Sequence, residues 1–475
     1  MLLLFACLII LAVYSTKISS RFGVPLLLLF LAIGLIVGSD VLNLFYFSDA
    51  GLTKKIADIL LIFILFDGGF RTSKQQFDPV SAPASVLATF GVVLTAVLLG
   101  ALIHLLLGFD LLYAMLVASI ISSTDAAAVF MITKENPLKP RLSATLNVES
   151  AANDPMAILL TLAFMGLATG TSALTARFLL DLLWQFSGGI LFGLLFAYAA
   201  RFLFDRLESE NRGNYYVLIV GVVLLTYGVA DLAKANGIIA VFFMGYRLGN
   251  SEFAAKRGVS HFMEGIATFG NVSLFLMLGL LAFPREFVHI WKEGLLVAAL
   301  LIFAARPAAV FLSTASFGYS VKEKLFLSWG GIKGAVPVVL ATYPAAFNLD
   351  PHGMIFNLIF FVVFLSCLLQ GMTLAPLARR LKLNAPKTPV SPYTVEIHGT
   401  RKSDIDMFEF RIPRDAPCVG RKIAEISLGR DVLISSIIRD ERIILPKGST
   451  ELKENDILFI LAHADRIKEI SEKLQ

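Results

Sequence analysis

Two carboxylates, Glu149 and Asp154, occur in the stretch NVESAANDPM, within a run that is otherwise apolar enough to span a membrane. A charge near the centre of a bilayer is unfavourable by roughly 2.5–3.5 kcal/mol even on lenient scales, so such residues are usually functional. Ion binding and proton transfer are the chemistry that buried carboxylates most often serve in membranes. Six ionisable residues occupy such positions: Asp67, Asp125, Glu149, Asp154, Arg306 and Lys333.

The spacing around the two carboxylates predicts different roles for them. On a helix, Glu149 and Asn153 share a face, and Asp154 lies roughly 100° further round. Ser150 lies one turn below Asp154, so these two could present oxygens to a desolvated cation while Glu149 points towards a basic partner. Arg306, deep within another apolar run, is the predicted partner. The alternative is that these residues only line a solvated vestibule or cap a helix end.

Two other apolar runs are interrupted by polar residues. ISSTDAAAV places three hydroxyls and Asp125 in one run, and SWGGIKGAVPVV places three glycines, Lys333 and a proline in another. Transporters place discontinuous helices like these at corresponding positions of two inverted repeats. Asp125 would offset exposed helix N-termini, and Lys333 would offset exposed C-termini. Close packing of small residues between helices would explain the glycines but not the charges.

The composition defines the elements that must position these residues. Of the 475 residues, 57% are hydrophobic and 16% charged, and the mean hydropathy is +0.76, which indicates a polytopic membrane protein surrounded by lipid. The modest net charge of +5, with its basic residues in short loops, favours no nucleic-acid partner. Thirteen apolar segments are predicted, near 1–16, 24–39, 56–70, 84–107, 111–133, 143–168, 178–204, 214–233, 236–249, 261–283, 294–316, 324–346 and 353–381.

Basic residues in the loops predict the orientation. One set of alternate loops contains fifteen Lys and Arg residues and the other contains six. Since cytoplasmic loops carry the excess, the N-terminus is expected outside and the C-terminus in the cytoplasm. An odd number of spans is consistent with this arrangement.

The composition changes after Leu383. We expect a transmembrane exchanger domain over 1–383, a proline-rich linker over 384–396 and a soluble cytoplasmic domain over 397–475. Alternating residues predict strands at FEFRIP, VLISSIIRD, ERIILPKG and DILFILAHA, with helices at GRKIAEISL and DRIKEISEKL.

Several motifs together resemble a known family. LFDGGFRT, SSTDAAAVF, ESAANDPMAI, FAARPAAVFLS and LSWGGIKGAVPVVLATYP occur in the order found in the monovalent cation:proton antiporter-1 family, and are most similar to its bacterial potassium/proton branch. The tail resembles the TrkA or RCK C-terminal regulatory domain. The expected fold is an all-α polytopic membrane transporter of about 13 transmembrane helices, with inverted repeats and discontinuous fifth and twelfth helices, plus a small cytoplasmic α+β domain.

The resemblance also implies roles for individual residues. Asp154 would bind either cation or proton, and its neighbour Asn153 would shape the site. Ser150 and Thr124 would be cation ligands, so that the monovalent cation is held by Asp154, Ser150 and Thr124. Asp67 occupies the acidic position of the third helix, where relatives more often have Glu. The structural ion pair would be Glu149 with Arg306, and Lys333 replaces the arginine usual in the GGxRGAVP motif.

The resemblance therefore implies a secondary transporter and no enzyme. One titrating carboxylate predicts electroneutral one-for-one exchange of potassium, with sodium also accepted, for protons by alternating access. No cofactor is expected, although a nucleotide is a candidate ligand of the tail. A homodimer in the bacterial cytoplasmic membrane is also expected.

Other functions remain to be separated from this one. A sodium/proton antiporter would have the same fold. A potassium channel with an RCK-type regulatory domain would need a carbonyl-lined filter, and LTYGVA lacks the second half of one. A hydrolase using Asp67, Asp125 or Asp154 as an acid pair would need an oxyanion hole, which the sequence does not indicate.

Overall fold

The chain packs into two units in a computed structural model. The first unit comprises Met1–Leu203, Tyr216–Glu252 and Val259–Pro386, and the second comprises Phe204–Tyr215, Phe253–Gly258 and Lys387–Gln475. The structure describes residues 2–22, 26–38, 40–42, 49–125, 138–173, 175–347, 349–350, 353–385, 405–413, 416–426, 428–429, 431–439, 442–463, 466, 469–470 and 474.

The described part of the first unit is helical. A single helical turn, Lys74–Phe77, precedes the fourth long helix. The other helices are α1 Leu2–Phe22, α2 Leu26–Val37, α3 Ala50–Arg71, α4 Asp78–Leu107, α5 Leu111–Ile120, α6 Pro140–Ala168, α7 Ala176–Arg206, α8 Arg212–Leu232, α9 Gly237–Gly249, α10 Lys256–Leu281, α11 Pro284–Ser313, α12 Val321–Trp329, α13 Ala335–Ala346 and α14 Met354–Leu381.

Many of these helices are apolar enough for a membrane. Within the described residues, seven helices are also long enough to cross one, namely α4, α6, α7, α8, α10, α11 and α14. Shorter apolar helices occur in α1, α2, α5, α9 and α13. The predicted helical polytopic fold is therefore confirmed, whereas the count of thirteen spans, the inverted repeats and the assignment of the fifth and twelfth spans as discontinuous helices stay predictions.

Side-chain caps determine where two short helices begin. Asp110 accepts hydrogen bonds from the backbone amides of Leu112 and Tyr113 at the start of α5. Ser320 and Glu323 form a reciprocal capping box at the start of α12. These caps replace helical hydrogen bonds that the first turn cannot make, so both helices have defined starts before they approach the functional site.

Glycines bring α3 and α9 into backbone contact. A Cβ atom on Gly69 would overlap the carbonyl oxygen of Phe242, and one on Gly245 would overlap that of Phe66. In a bilayer the lipid tails are as apolar as the side chains, so the hydrophobic effect does not drive two helices together. Small residues instead allow the two backbones to approach and make van der Waals contact. The backbones of α3 and α9 therefore pack directly against each other.

A π-helical turn, Leu301–Ala305, lies in α11 immediately before Arg306. Pro307 follows and has no backbone N–H, so the regular helical ladder is interrupted there. Such wide turns often occur at functional sites. In α11 the residue that follows this turn is Arg306, which is 1% exposed.

The described part of the tail contains an antiparallel sheet. Its strands are β1 Ile405–Arg411, β2 Leu433–Arg439, β3 Arg442–Ile444 and β4 Ile457–His463, in the order β1-β4-β2-β3. The four predicted strands all occur. Asp456, fully buried, anchors the sheet through a bidentate pair with Arg439, whose Nε and Nη2 lie 2.8 and 2.7 Å from its carboxylate oxygens.

The predicted helix at GRKIAEISL is wrong, because the described residues of this stretch form a single 3₁₀ turn, Ile423–Glu425. The amide of Ile423 donates to the Thr450 carbonyl, and that of Ala424 donates to the Gly448 carbonyl. These pairings across the domain take the donors that a helix would have used. Most of the second predicted tail helix, DRIKEISEKL, lies outside the described residues.

Candidate functional site

Two non-helical segments meet in the first unit. The first follows α5, which ends at Ile120, and runs through residues 123–125. The second, residues 330–334, separates α12 from α13. The two are joined where the Asp125 amide donates to the Ile332 carbonyl at 2.8 Å. The polar interruptions noted in the sequence therefore lie in contact.

Two helix ends lie near the contact between Asp125 and Ile332, and each has a charged side chain beside it. The Lys333 ammonium donates to the carbonyls of Ser122 and Ser123, at 3.1 and 2.9 Å, just beyond the C-terminal end of α5. The Asp125 carboxylate lies so close to Gly334, at the start of α13, that a Cβ on this glycine would overlap it. Each charge has the sign that stabilises the helix end beside it.

Three buried polar side chains connect α6 to the segment after α5. The Thr124 hydroxyl is 2.8 Å from the Ser150 hydroxyl and accepts a hydrogen bond from the Asn153 amide at 2.6 Å. The Thr124 backbone amide donates to Asn153 Oδ1 at 3.3 Å. All three residues are at most 1% exposed, so their oxygens are desolvated.

Asp154 follows this group on α6 and differs from it in exposure. It is partly exposed, whereas its neighbour Asn153 is fully buried. Its carboxylate lies beside the Ser123 hydroxyl and within electrostatic range of Asp125 and Lys333. The Asp154 carboxylate therefore faces the junction of the two non-helical segments.

Glu149 and Arg306 form a buried ion pair between α6 and α11. Arg306 Nη2 lies 2.5 Å from Glu149 Oε1, and the two side chains are 2% and 0% exposed. Arg306 Nε and Nη1 and Glu149 Oε2 make no hydrogen bond within the described residues. A pair of this kind strongly penalises loss of either partner, because the other would be left as an isolated buried charge.

The described hydrogen bonds of Asp67 do not connect it to the polar residues around the two non-helical segments. Its Oδ2 accepts a hydrogen bond from Arg71 Nε at 2.7 Å, one turn further along α3. Arg71 also pairs with Glu264 on α10, at 3.1 Å. The structure thus gathers Thr124, Asp125, Ser150, Asn153 and Asp154 around the junction and places Asp67 in a separate ion-pair group.

Sequence reasoning missed two contributors to the site. The hydroxyl of Ser123 lies beside Asp154, although only its place in the SSTD run could have indicated this. Gly331 lies against both Arg306 and Thr124: an added Cβ would be 2.7 Å from Arg306 Nε and 3.3 Å from Thr124 Cγ2. The glycine was noted in the sequence only as a helix breaker.

Gly331→Ala is therefore expected to displace the Arg306 guanidinium and lower stability by about 1–3 kcal/mol, with reduced transport. The measurement is the unfolding temperature of the detergent-purified protein, together with ion flux in vesicles. Gly221→Ala on α8 is the matched control, because nothing lies within 4 Å of a Cβ built there. Equal stability of the two variants would contradict the close approach.

Comparisons with known proteins give concordant matches. The sodium/hydrogen exchanger transmembrane family model matches residues 6–380, and the TrkA-C domain model matches residues 407–475. The K(+)/H(+) antiporter NhaP2 of a Shewanella species (strain MR-4) is 35% identical over 468 residues, 97% of this chain and 80% of the relative. The K(+)/H(+) antiporter NhaP of Alkalimonas amylolytica is 33% identical over 480 residues, 100% of this chain and 83% of that protein.

A solved structure shares the fold. The sodium proton antiporter MjNhaP1 from Methanocaldococcus jannaschii at pH 8 aligns with a TM-score of 0.68 and 26% identity, covering 79% of this chain and 97% of that one.

Proposed function

Because the chain belongs to the sodium/hydrogen exchanger family, whose members are cation:proton antiporters and not enzymes, we propose that it exchanges potassium for protons through Asp154. The observation that carries the proposal is the position of this carboxylate. It is partly exposed, at the junction of two non-helical segments, beside a desolvated group of hydroxyl and amide side chains.

The proposed cation ligands are oxygens from two elements. Asp154 and Ser150 come from α6, and Thr124 comes from the segment after α5. Asn153 holds Thr124 through two hydrogen bonds, so its role is to orient a ligand. Hard oxygen ligands of this type suit alkali cations. Asp67 stays a weaker candidate, since its carboxylate is engaged by Arg71.

Competition at one carboxylate gives the proposed mechanism. Asp154 cannot hold a proton and a cation together, so each expels the other when access alternates between the two sides of the membrane. Since the neighbouring position is Asn153 and not a second carboxylate, each half-cycle moves a single positive charge. The exchange is then one-for-one and electroneutral.

The potassium preference rests on the similarity to relatives named K(+)/H(+) antiporters, with 97–100% of this chain aligned. A sodium/proton antiporter is the second candidate, since MjNhaP1 is a sodium proton antiporter of the same fold. A channel is disfavoured by an observation on this chain. LTYGVA lies inside α8, where backbone carbonyls serve the helix and not an ion filter.

For the remainder of the molecule we propose the arrangement that the sequence predicts. Residues 1–383 form the exchanger in the bacterial inner membrane, with the N-terminus outside, and act as a homodimer. Residues 397–475 form a cytoplasmic regulatory domain that binds a nucleotide.

Deleting residues 397–475 is expected to preserve exchange and to remove its regulation by added nucleotide. A truncated protein whose exchange responds to nucleotide like that of the full chain would contradict this.

Exchange by purified protein in vesicles tests the proposed function. An outward proton gradient is imposed, and K⁺, Na⁺, Li⁺ and Rb⁺ are added in turn while the internal pH is recorded. We expect K⁺ to collapse the gradient most effectively, at a rate unaffected by clamping the membrane potential. Exchange only with Na⁺ and Li⁺ would favour the sodium reading, and a rate that follows the membrane potential would exclude electroneutral exchange.

A further inference from the structure

The break between α12 and α13 needs partners from elsewhere. Residues 330–334 are not helical, so backbone groups on both sides of them lack their usual intrahelical partners. Leaving such groups unpaired in a buried region is unfavourable, and more so within a membrane. One face of α14 supplies these partners through Ser366, Cys367 and Gln370, which are at most 1% exposed.

This Ser366–Cys367–Gln370 cluster contacts both ends of the break. Gln370 Nε2 donates to the carbonyl of Trp329, the last residue of α12, at 2.9 Å. The Lys333 amide donates to Ser366 Oγ at 3.2 Å, and Cys367 Sγ donates to the Lys333 carbonyl at 2.8 Å. Ser366 Oγ in turn donates to Gln370 Oε1 at 2.5 Å, which links the two ends.

The same contacts continue into the candidate cation site. Lys333, whose backbone the cluster holds on both sides, extends its ammonium to the Ser122 and Ser123 carbonyls. These carbonyls immediately precede Thr124, which bonds Ser150 and Asn153. Hydrogen bonds at both ends of Lys333, together with the backbone that joins Ser123 to Thr124, therefore connect α14 to a proposed cation ligand.

We propose that Ser366 and Gln370 are positioning residues for ion exchange, acting through Lys333 on the placement of Thr124. The inference rests on the proposed function, because it assigns these residues to the cation site defined there. Neither residue contacts the cation. Cys367 adds a third hydrogen bond to the same segment.

Kinetic variants separate this role from a purely structural one. Ser366→Ala removes the acceptor of the Lys333 amide, and Gln370→Met removes the bond to Trp329 with little change in volume. Loss of either bond is expected to raise the KM for K⁺ by about 3- to 10-fold, with kcat changed less than KM. The double variant should show less than the product of the two effects, because Ser366 and Gln370 act as a bonded unit.

Ser328→Ala on α12 is the matched control. Ser328 is 3% exposed, and among the described residues its hydroxyl donates to the Lys324 carbonyl of its own helix at 2.8 Å. The substitution is the same as at Ser366, and it removes a hydroxyl one residue from the end of α12. Its KM should stay at the wild-type value.

The potassium-dependent rise in unfolding temperature is measured on the same proteins, because a ligand stabilises the state that binds it. The cluster variants should need more K⁺ than the wild type to reach the same rise. Variants that fold less well but keep the wild-type KM and K⁺ response would overturn the inference. A wild-type protein that is stabilised by K⁺ but exchanges no protons would instead overturn the proposed function, while the K⁺ response would still test the cluster.

Discussion

Asp154→Asn is expected to reduce cation-dependent proton movement to the leak rate of protein-free vesicles while leaving the protein folded. Asparagine keeps the shape of the side chain and its hydrogen-bonding oxygen, but it carries no charge and accepts no proton at working pH. Neither half of the exchange can then be completed. The Lys333 ammonium keeps its hydrogen bonds to the Ser122 and Ser123 carbonyls in this variant, so we expect the fold to be retained. The measurement is proton flux driven by K⁺ in vesicles of matched protein content.

Two further variants make this result specific to the carboxylate. Asp154→Glu retains a titratable group and should shift the KM for K⁺ without abolishing exchange. Asp181→Asn, at an exposed position on α7, makes the same chemical change away from the site and should leave flux unchanged. Retained exchange in Asp154→Asn with the wild-type pH profile would contradict the assignment.

The Glu149–Arg306 pair gives the second large expected effect, on folding and not on transport. Glu149→Gln or Arg306→Met alone leaves a buried charge without its partner, and each should lower stability by about 3–5 kcal/mol. The expected result is little or no monodisperse protein after purification and a lower unfolding temperature. Replacing both residues together, as Glu149→Leu with Arg306→Met, removes both charges and should restore much of that loss.

This rescue separates architecture from transport. If the pair only holds α6 against α11, the recovered double variant should exchange K⁺ for protons at a rate close to that of the wild type. Single variants that purify and unfold like the wild type would contradict the structural role. Loss of exchange in a well-folded double variant would show that the pair also takes part in ion movement.

Local sequence patterns were sufficient for much of the fold. Apolar runs predicted a helical membrane protein, and alternation predicted all four strands of the tail, because both signals depend on neighbours in the chain. The GRKIAEISL segment failed for a tertiary reason: its amides pair with the Thr450 and Gly448 carbonyls, far along the sequence. Helical periodicity carries no information about such competition.

Part of the site could be predicted because it contains charged residues within apolar runs, where a charge is energetically unfavourable. Asp125, Asp154 and Lys333 are conspicuous in apolar runs, and the structure places all three around one junction. Asp67 is equally conspicuous, yet its described partner is Arg71, so motif position alone did not define its surroundings. Gln370 is uncharged and was missed, because its importance depends on which backbone carbonyl it meets.

The central claim is that one carboxylate is shared by cation and proton, and the KM for K⁺ as a function of pH tests it most directly. Vesicles containing the wild-type protein are assayed from acidic to alkaline pH, with K⁺ varied at each value. Competition predicts that, below the pKa of the shared carboxylate, the KM for K⁺ rises about tenfold for each unit by which the pH falls. The maximal rate should stay constant over the same range. A KM independent of pH, with a maximal rate that falls as protons are added, would show that the two ions bind at separate sites.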